Sequence, residues 1–94
     1  MTQTSFKVYI VECADKTLYT GMSGDVPKRI ATHNKGKGAK YTRARLPVTL
    51  VHEEGPFTKK EALQREREIK KLTRDQKLAL ISITRQEPQS VPEQ

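Results

Sequence analysis

The chain has 94 residues, a formal net charge of +7 and a hydrophobic content of 34%. That length supports one small domain with a single modest core and excludes a large multidomain enzyme. The charge favours a polyanionic partner, nucleic acid by default, over a membrane, because no helix here joins a strongly apolar face to aromatic anchors.

No apolar run approaches membrane-spanning length, and Met1-Thr-Gln-Thr-Ser lacks the basic-then-apolar pattern of a signal segment. The single Cys13 excludes an internal disulfide. With only His33 and His52 beside it, a zinc site is excluded as well, and Cys13 is expected to be a buried strand residue. The expected location is cytoplasmic.

In chain order, residues 1–5 are polar and expected to be flexible. Phe6 to Cys13, rich in β-branched and aromatic residues, predicts a strand, and Thr17 to Met22 predicts its hairpin partner. With Ala14-Asp15-Lys16 as a three-residue loop, Cys13 opposes Thr17, Val11 opposes Tyr19 and Tyr9 opposes Gly21. Both tyrosines then share one face; a two-residue turn would separate them. Asp25 is a good N-cap and Pro27 fits a first turn, so a helix is predicted to about Asn34, closed by a left-handed Gly36. Val26, Ile30 and His33 form its inner stripe, and Arg29, four residues before His33, shares that side.

Lys35 to Arg45 carries five basic residues, two glycines, one aromatic and no acid. This stretch reads as a solvated loop that cannot belong to the core. Leu46 to Glu54 alternates as a third strand, ended by Gly55-Pro56. Thr58-Lys-Lys-Glu61 is a capping box with Phe57 and Ala62 placed as a staple, and its helix is predicted to about Leu72. On that helix Glu66 falls inside the stripe of Ala62, Leu63 and Ile69, where a carboxylate is costly unless paired, hydrogen-bonded or bound to a metal. Thr73-Arg-Asp-Gln76 is a second capping box, opening a helix with Leu78, Leu80, Ile81 and Ile83. Residues 85–94, with two prolines and few apolar side chains, read as a disordered tail after a domain spanning 6–84. The predicted order is β-β-α-β-α-α, an α+β arrangement of a small antiparallel sheet and helices.

Each polar candidate also has a bland reading. Tyr9 and Tyr19 fit ordinary amphipathic strand positions, Arg29 a solvated helix face, His33 a satisfied structural histidine, and Glu66 an ion pair with Arg29 or a lysine. Taken together they suit phosphodiester hydrolysis, which needs an activated water, neutralised phosphoryl oxygens and a stabilised leaving group. A phenol near pKa 10 is too weak an acid for a base at neutral pH, but a neighbouring cation and guanidinium would lower it.

Tyr9, then Tyr19-Thr20-Gly21, Arg29, His33 and Glu66 in Ala-Leu-Gln-Arg-Glu resemble the GIY-YIG nuclease superfamily over nearly all of residues 6–83. Lys-Gly-Lys-Gly-Ala-Lys-Tyr-Thr-Arg with the following Leu-Pro-Val resembles its small stand-alone bacterial members, the UPF0213 group. The resemblance implies a three-stranded antiparallel sheet flanked by three helices. It implies one divalent cation, Mg2+ or Mn2+, held by Glu66. Tyr9 would be the general base, Tyr19 would order water and phosphate, Arg29 would stabilise the transition state, and His33 would stand near the reacting phosphate. Gly21 would allow close backbone approach. Lys35, Lys37, Lys40, Tyr41, Arg43 and Arg45 would grip the nucleic-acid backbone. The first triplet keeps only its tyrosine, as Lys7-Val8-Tyr9, and the second lacks its isoleucine.

The expected function is metal-dependent DNA endonuclease, acting on structured or damaged DNA. A non-catalytic nucleic-acid-binding protein that retains the fold is the alternative, and an adaptor for an acidic protein is a third reading. DNA is favoured over RNA, and a protein partner is the other source of substrate choice.

Overall fold

The computed structural model describes residues 5–90. Strands β1 (Phe6–Glu12) and β2 (Leu18–Ser23) are followed by helices α1 (Val26–Asn34) and α2 (Lys40–Arg43), strand β3 (Thr49–Phe57), and helices α3 (Lys59–Lys70) and α4 (Arg74–Ser90). The sheet order is β2-β1-β3 and both pairings are antiparallel. This is the predicted β-β-α-β-α-α order with one short helix, α2, added inside the basic stretch. Residues 1–4 and 91–94, part of the expected flexible ends, lie outside the described residues, and the backbone of α4 continues past position 84.

The hairpin takes the register of a three-residue loop: Tyr9 faces Gly21 and Val11 faces Tyr19. Cys13 N–H donates to Thr17 C=O at 2.8 Å and closes it. Because alternate residues of β1 point to opposite faces, this central strand feeds two cores. Val8 and Ile10 pack with Ala62, Ile69 and Ile81 of α3 and α4. Tyr9, Val11 and Cys13 pack with Val26 of α1 and Val48 on the other face. Cys13 is buried and unpaired as expected, but it lies just past the end of β1 rather than within the strand.

The caps act where the sequence places them. The Asp25 side chain accepts from Lys28 N–H, and both capping boxes, Thr58 with Glu61 and Thr73 with Gln76, form reciprocally. Gly36 closes α1 at φ +78°, a conformation an L side chain resists.

Three expectations are corrected. The third strand starts at Thr49 rather than Leu46, because Asn34 takes both backbone groups of Val48. Its carbonyl accepts from Val48 N–H at 2.7 Å and its amide donates to Val48 C=O at 3.1 Å, leaving nothing there for a ladder. The strand also runs through Gly55-Pro56 to Phe57, which pairs with Phe6; on an edge strand the missing donor of Pro56 is tolerated. Finally, Leu63, Leu78 and Ile83 are exposed, so the buried faces of α3 and α4 are narrower than their apolar spacing suggested.

Candidate active site

Tyr9 and His33 are each almost wholly buried, at 1% and 0% exposure, and meet on the α1 side of the sheet. The Tyr9 hydroxyl lies 2.9 Å from His33 Nε2. The Tyr19 ring stands edge-on to His33 with centroids 5.5 Å apart. The hairpin register thus sets both phenols beside the imidazole. Gly21 makes room: a Cβ there would fall 2.5 Å from the Tyr9 hydroxyl. Gly38 does the same for His33, since a Cβ at 38 would overlap the imidazole ring.

The other face of His33 is completed by a residue that the sequence reading passed over. Thr42, on α2, is fully buried, and its hydroxyl lies 2.9 Å from His33 Nδ1. The same hydroxyl donates to Ala39 C=O at 2.9 Å. Its only proton being committed there, Thr42 Oγ1 accepts from His33, so Nδ1 carries the ring proton. Nε2 is then a lone pair aimed at Tyr9, and Tyr9 donates to it. The basic stretch therefore does enter the core, contrary to expectation: an uncharged threonine amid lysines supplies the buried side chain, and Gly38 lets the chain close on His33. A lone Thr between Tyr41 and Arg43, four positions after Gly38, was the only available signal.

Arg29 is half-buried and close enough to act on both partners. Burial, then the Arg29 charge, push the His33 pKa below its usual value, so the ring is neutral at neutral pH. Burial raises the Tyr9 pKa; the Arg29 guanidinium pulls the other way without cancelling it, while Tyr19 and Glu66 add to the rise. The expectation of a phenol made more acidic by its neighbours is thus reversed by desolvation among the protein's own groups.

Glu66 reaches this neighbourhood from α3, its charge felt at Tyr9. Its side chain is 17% exposed and pairs with the exposed Lys70 at 3.3 Å, one turn on. The lysine pairing of the bland reading is therefore present, yet it is a surface pair of the weak kind. No cluster of three or more His, Cys, Asp or Glu exists among the described residues. A lone, partly buried carboxylate fits a hard divalent cation that keeps most of its waters, as Mg2+ does, and does not fit an all-protein cage.

In the basic stretch, Lys35, Lys37, Lys40 and Arg43 are exposed and have no carboxylate partner among the described residues. Arg45 differs. It pairs with Asp15 at 3.0 Å, donates to Tyr41 C=O at 2.7 Å and lies 4.0 Å over the Tyr41 ring, so it braces the loop. Tyr41 stacks on Tyr19 with centroids 5.9 Å apart.

Residues 5–79 match the GIY-YIG catalytic domain family. The chain belongs to the GIY-YIG nuclease superfamily. Among relatives of this GIY-YIG domain, a UPF0213 protein of Staphylococcus haemolyticus is 58% identical over 74 residues, covering 79% of this chain and 90% of that protein. One from the archaeon Halobacterium salinarum is 58% identical over 73 residues, covering 78% and 95%, so the group is not confined to bacteria. Two solution NMR structures share the GIY-YIG fold. The UPF0213 protein of Bacillus halodurans is 47% identical, covers 83% of each chain and has a TM-score of 0.54. A protein of E. faecalis is 34% identical, covers 89% and 92%, and has a TM-score of 0.57.

Proposed function

We propose that this protein is a metal-dependent endonuclease that hydrolyses phosphodiesters of structured or damaged DNA. The observation that carries the reading is the buried chain Tyr9–His33–Thr42, with its imidazole lone pair directed at a phenol. A raised phenol pKa makes a standing phenolate rare, but a phenol donating to a neutral imidazole needs no prior ionisation. As water attacks phosphorus and the P–O bond to the leaving strand breaks, the Tyr9 oxygen accepts the water proton while its own proton moves to His33 Nε2, and the leaving oxygen takes a proton from solvent. Arg29 stabilises the charge that builds on the phosphoryl oxygens. Tyr19 orders the attacking water and the phosphate. Glu66 would hold one divalent cation, Mg2+ or Mn2+, which when bound supplies Lewis-acid neutralisation of the phosphate. Lys35, Lys37, Lys40 and Arg43 grip the strand without reading its sequence. DNA is preferred to RNA on the resemblance alone, and a protein partner would add substrate choice.

A cytoplasmic location is proposed with this reading, because its substrate is nucleic acid; among the described residues no helix is long and apolar enough to cross a membrane.

The Glu66–Lys70 pair favours a second reading, a nucleic-acid-binding protein without catalysis. Glu66→Gln separates them. It is expected to abolish cleavage in Mg2+ or Mn2+ and to leave DNA binding unchanged or tighter. Wild-type protein that cuts no branched, flapped, nicked or single-stranded substrate with either metal would exclude the enzyme.

A further inference from the structure

A second basic feature lies beside Tyr41, on residues distant in sequence from the loop. Thr17, Leu18, Tyr41, Arg74 and Lys77 line a cleft of about 220 Å³ between the start of β2, α2 and the first turns of α4. Arg74 donates one guanidinium N–H to Lys16 C=O, which fixes the group at the cleft and leaves its other donors unclaimed by any side chain among the described residues. Lys77 is half-buried. Burial, then the charge of Lys70, push its pKa down, so the folded chain holds this cation at a cost. Among the described residues neither Arg74 nor Lys77 has a carboxylate within ion-pairing distance. Two convergent cations without a counter-charge call for an anion. The space is smaller than a typical pocket for a drug-sized ligand, which suits a single phosphate group rather than a nucleoside.

The position identifies the anion. Tyr41 forms one wall of the cleft and stacks on Tyr19, which in turn meets His33. A strand whose phosphate sits at the candidate active site and whose backbone passes the exposed part of Tyr41, a ring already stacked on Tyr19 and covered by Arg45, would bring a neighbouring phosphate to Arg74 and Lys77. We propose that this cleft is the subsite for a backbone phosphate flanking the one that is cut, so that the bound strand runs from Tyr19 across Tyr41 to the start of α4. The proposal rests on the nuclease reading and extends it to two elements outside the basic loop, β2 and α4.

Two measurements test it. The first is a titration of the full wild-type chain with inorganic phosphate, followed by NMR of the Arg74 Nε–H and Lys77 side-chain signals. Saturable shifts of both are expected, with shifts of the Thr17 and Leu18 amides that disappear in Arg74→Gln/Lys77→Gln; unshifted signals overturn the anion site. The second is the salt dependence of oligonucleotide binding by the non-cleaving Glu66→Gln chain, with and without Arg74→Gln/Lys77→Gln. Losing the grip on one backbone phosphate should reduce the slope of log K against log salt by about 0.7 on single strands. An unchanged slope, whatever phosphate does, overturns the path of the strand. A wild type with no affinity for nucleic acid defeats the nuclease reading and the path together, and the phosphate titration then decides the anion site independently.

Discussion

Thr42 holds the ring proton of His33 on Nδ1 only while its own hydroxyl is committed to Ala39. Thr42→Val removes the acceptor and strands a buried N–H, at a cost of about 1–3 kcal/mol. Nitrogen-15 spectra of His33 are expected to show the single Nδ1–H tautomer in the wild type and in Thr42→Ser, and a mixture in Thr42→Val. Cleavage should fall by about 10²-fold in the valine variant, the low end of what general-base help supplies. One unchanged tautomer in Thr42→Val would show that the hydroxyl sets nothing. The pH dependence follows from the same ring. Its folded pKa lies below the ordinary value of about 6.5, so the unfolded chain binds a proton there more readily than the folded one. Stability from this group is present above about pH 6.5 and is lost as pH falls toward the folded pKa. Denaturation midpoints between pH 7.5 and 5 should therefore drop more in wild type than in His33→Gln, and the acid limb of cleavage should lie below the ordinary histidine pKa.

At the scale of elements, β3 and α3 are joined by a polar network rather than by apolar contact alone. Arg65 grips Glu54 through two bonds, 2.6 and 3.1 Å, and Glu54 also meets His52 Nε2 at 2.7 Å. His52 is buried with its Nδ1 unpartnered, so its orientation depends on Glu54. Burial raises the Glu54 pKa, but Arg65 and His52 together overcome it and hold the carboxyl below its usual range. Its contribution is thus present above the unfolded carboxylate value, about pH 4.3, and lost as pH falls through the folded one. The pair is partly exposed, so Arg65→Gln should cost about 1–2 kcal/mol, between exposed and buried ion pairs. Chemical denaturation at pH 7 and pH 3 checks this: the difference from wild type should shrink at the lower pH. An equal difference at both values would assign the effect to packing of the arginine stem.

Over the whole molecule, the formal net charge is +7, and Lys35 to Arg45 supplies five cations with no acid among them. Lys37→Ala/Lys40→Ala/Arg43→Ala should flatten the salt dependence of duplex binding by about 2.7 in log–log slope. An unaltered slope would mean that α2 and its flanks face away from phosphate. Apart from the short α2, the element order, the caps and the hairpin register were legible in the sequence. Asp25, the two capping boxes and the three-residue loop act on backbone groups within a few positions of themselves, so local chemistry is enough to reveal them. The nearness of Tyr9, Tyr19 and His33 was legible because that register and the helix repeat set them on one side of the sheet, whereas Glu66 stood out only as a carboxylate within an apolar stripe. The protonation of these groups was not legible, because desolvation belongs to the packed state: the Tyr9 pKa rises where neighbours alone argued for a fall. Nor was the start of β3, which depends on Asn34 clasping Val48 across 14 positions. The seat of Thr42 and the bracing of Arg74 on Lys16 span 9 and 58 positions. Local hydrogen bonding and side-chain period therefore determined the elements and the candidate chemistry, whereas only the closed fold decided which groups lose water, and so which proton each one holds.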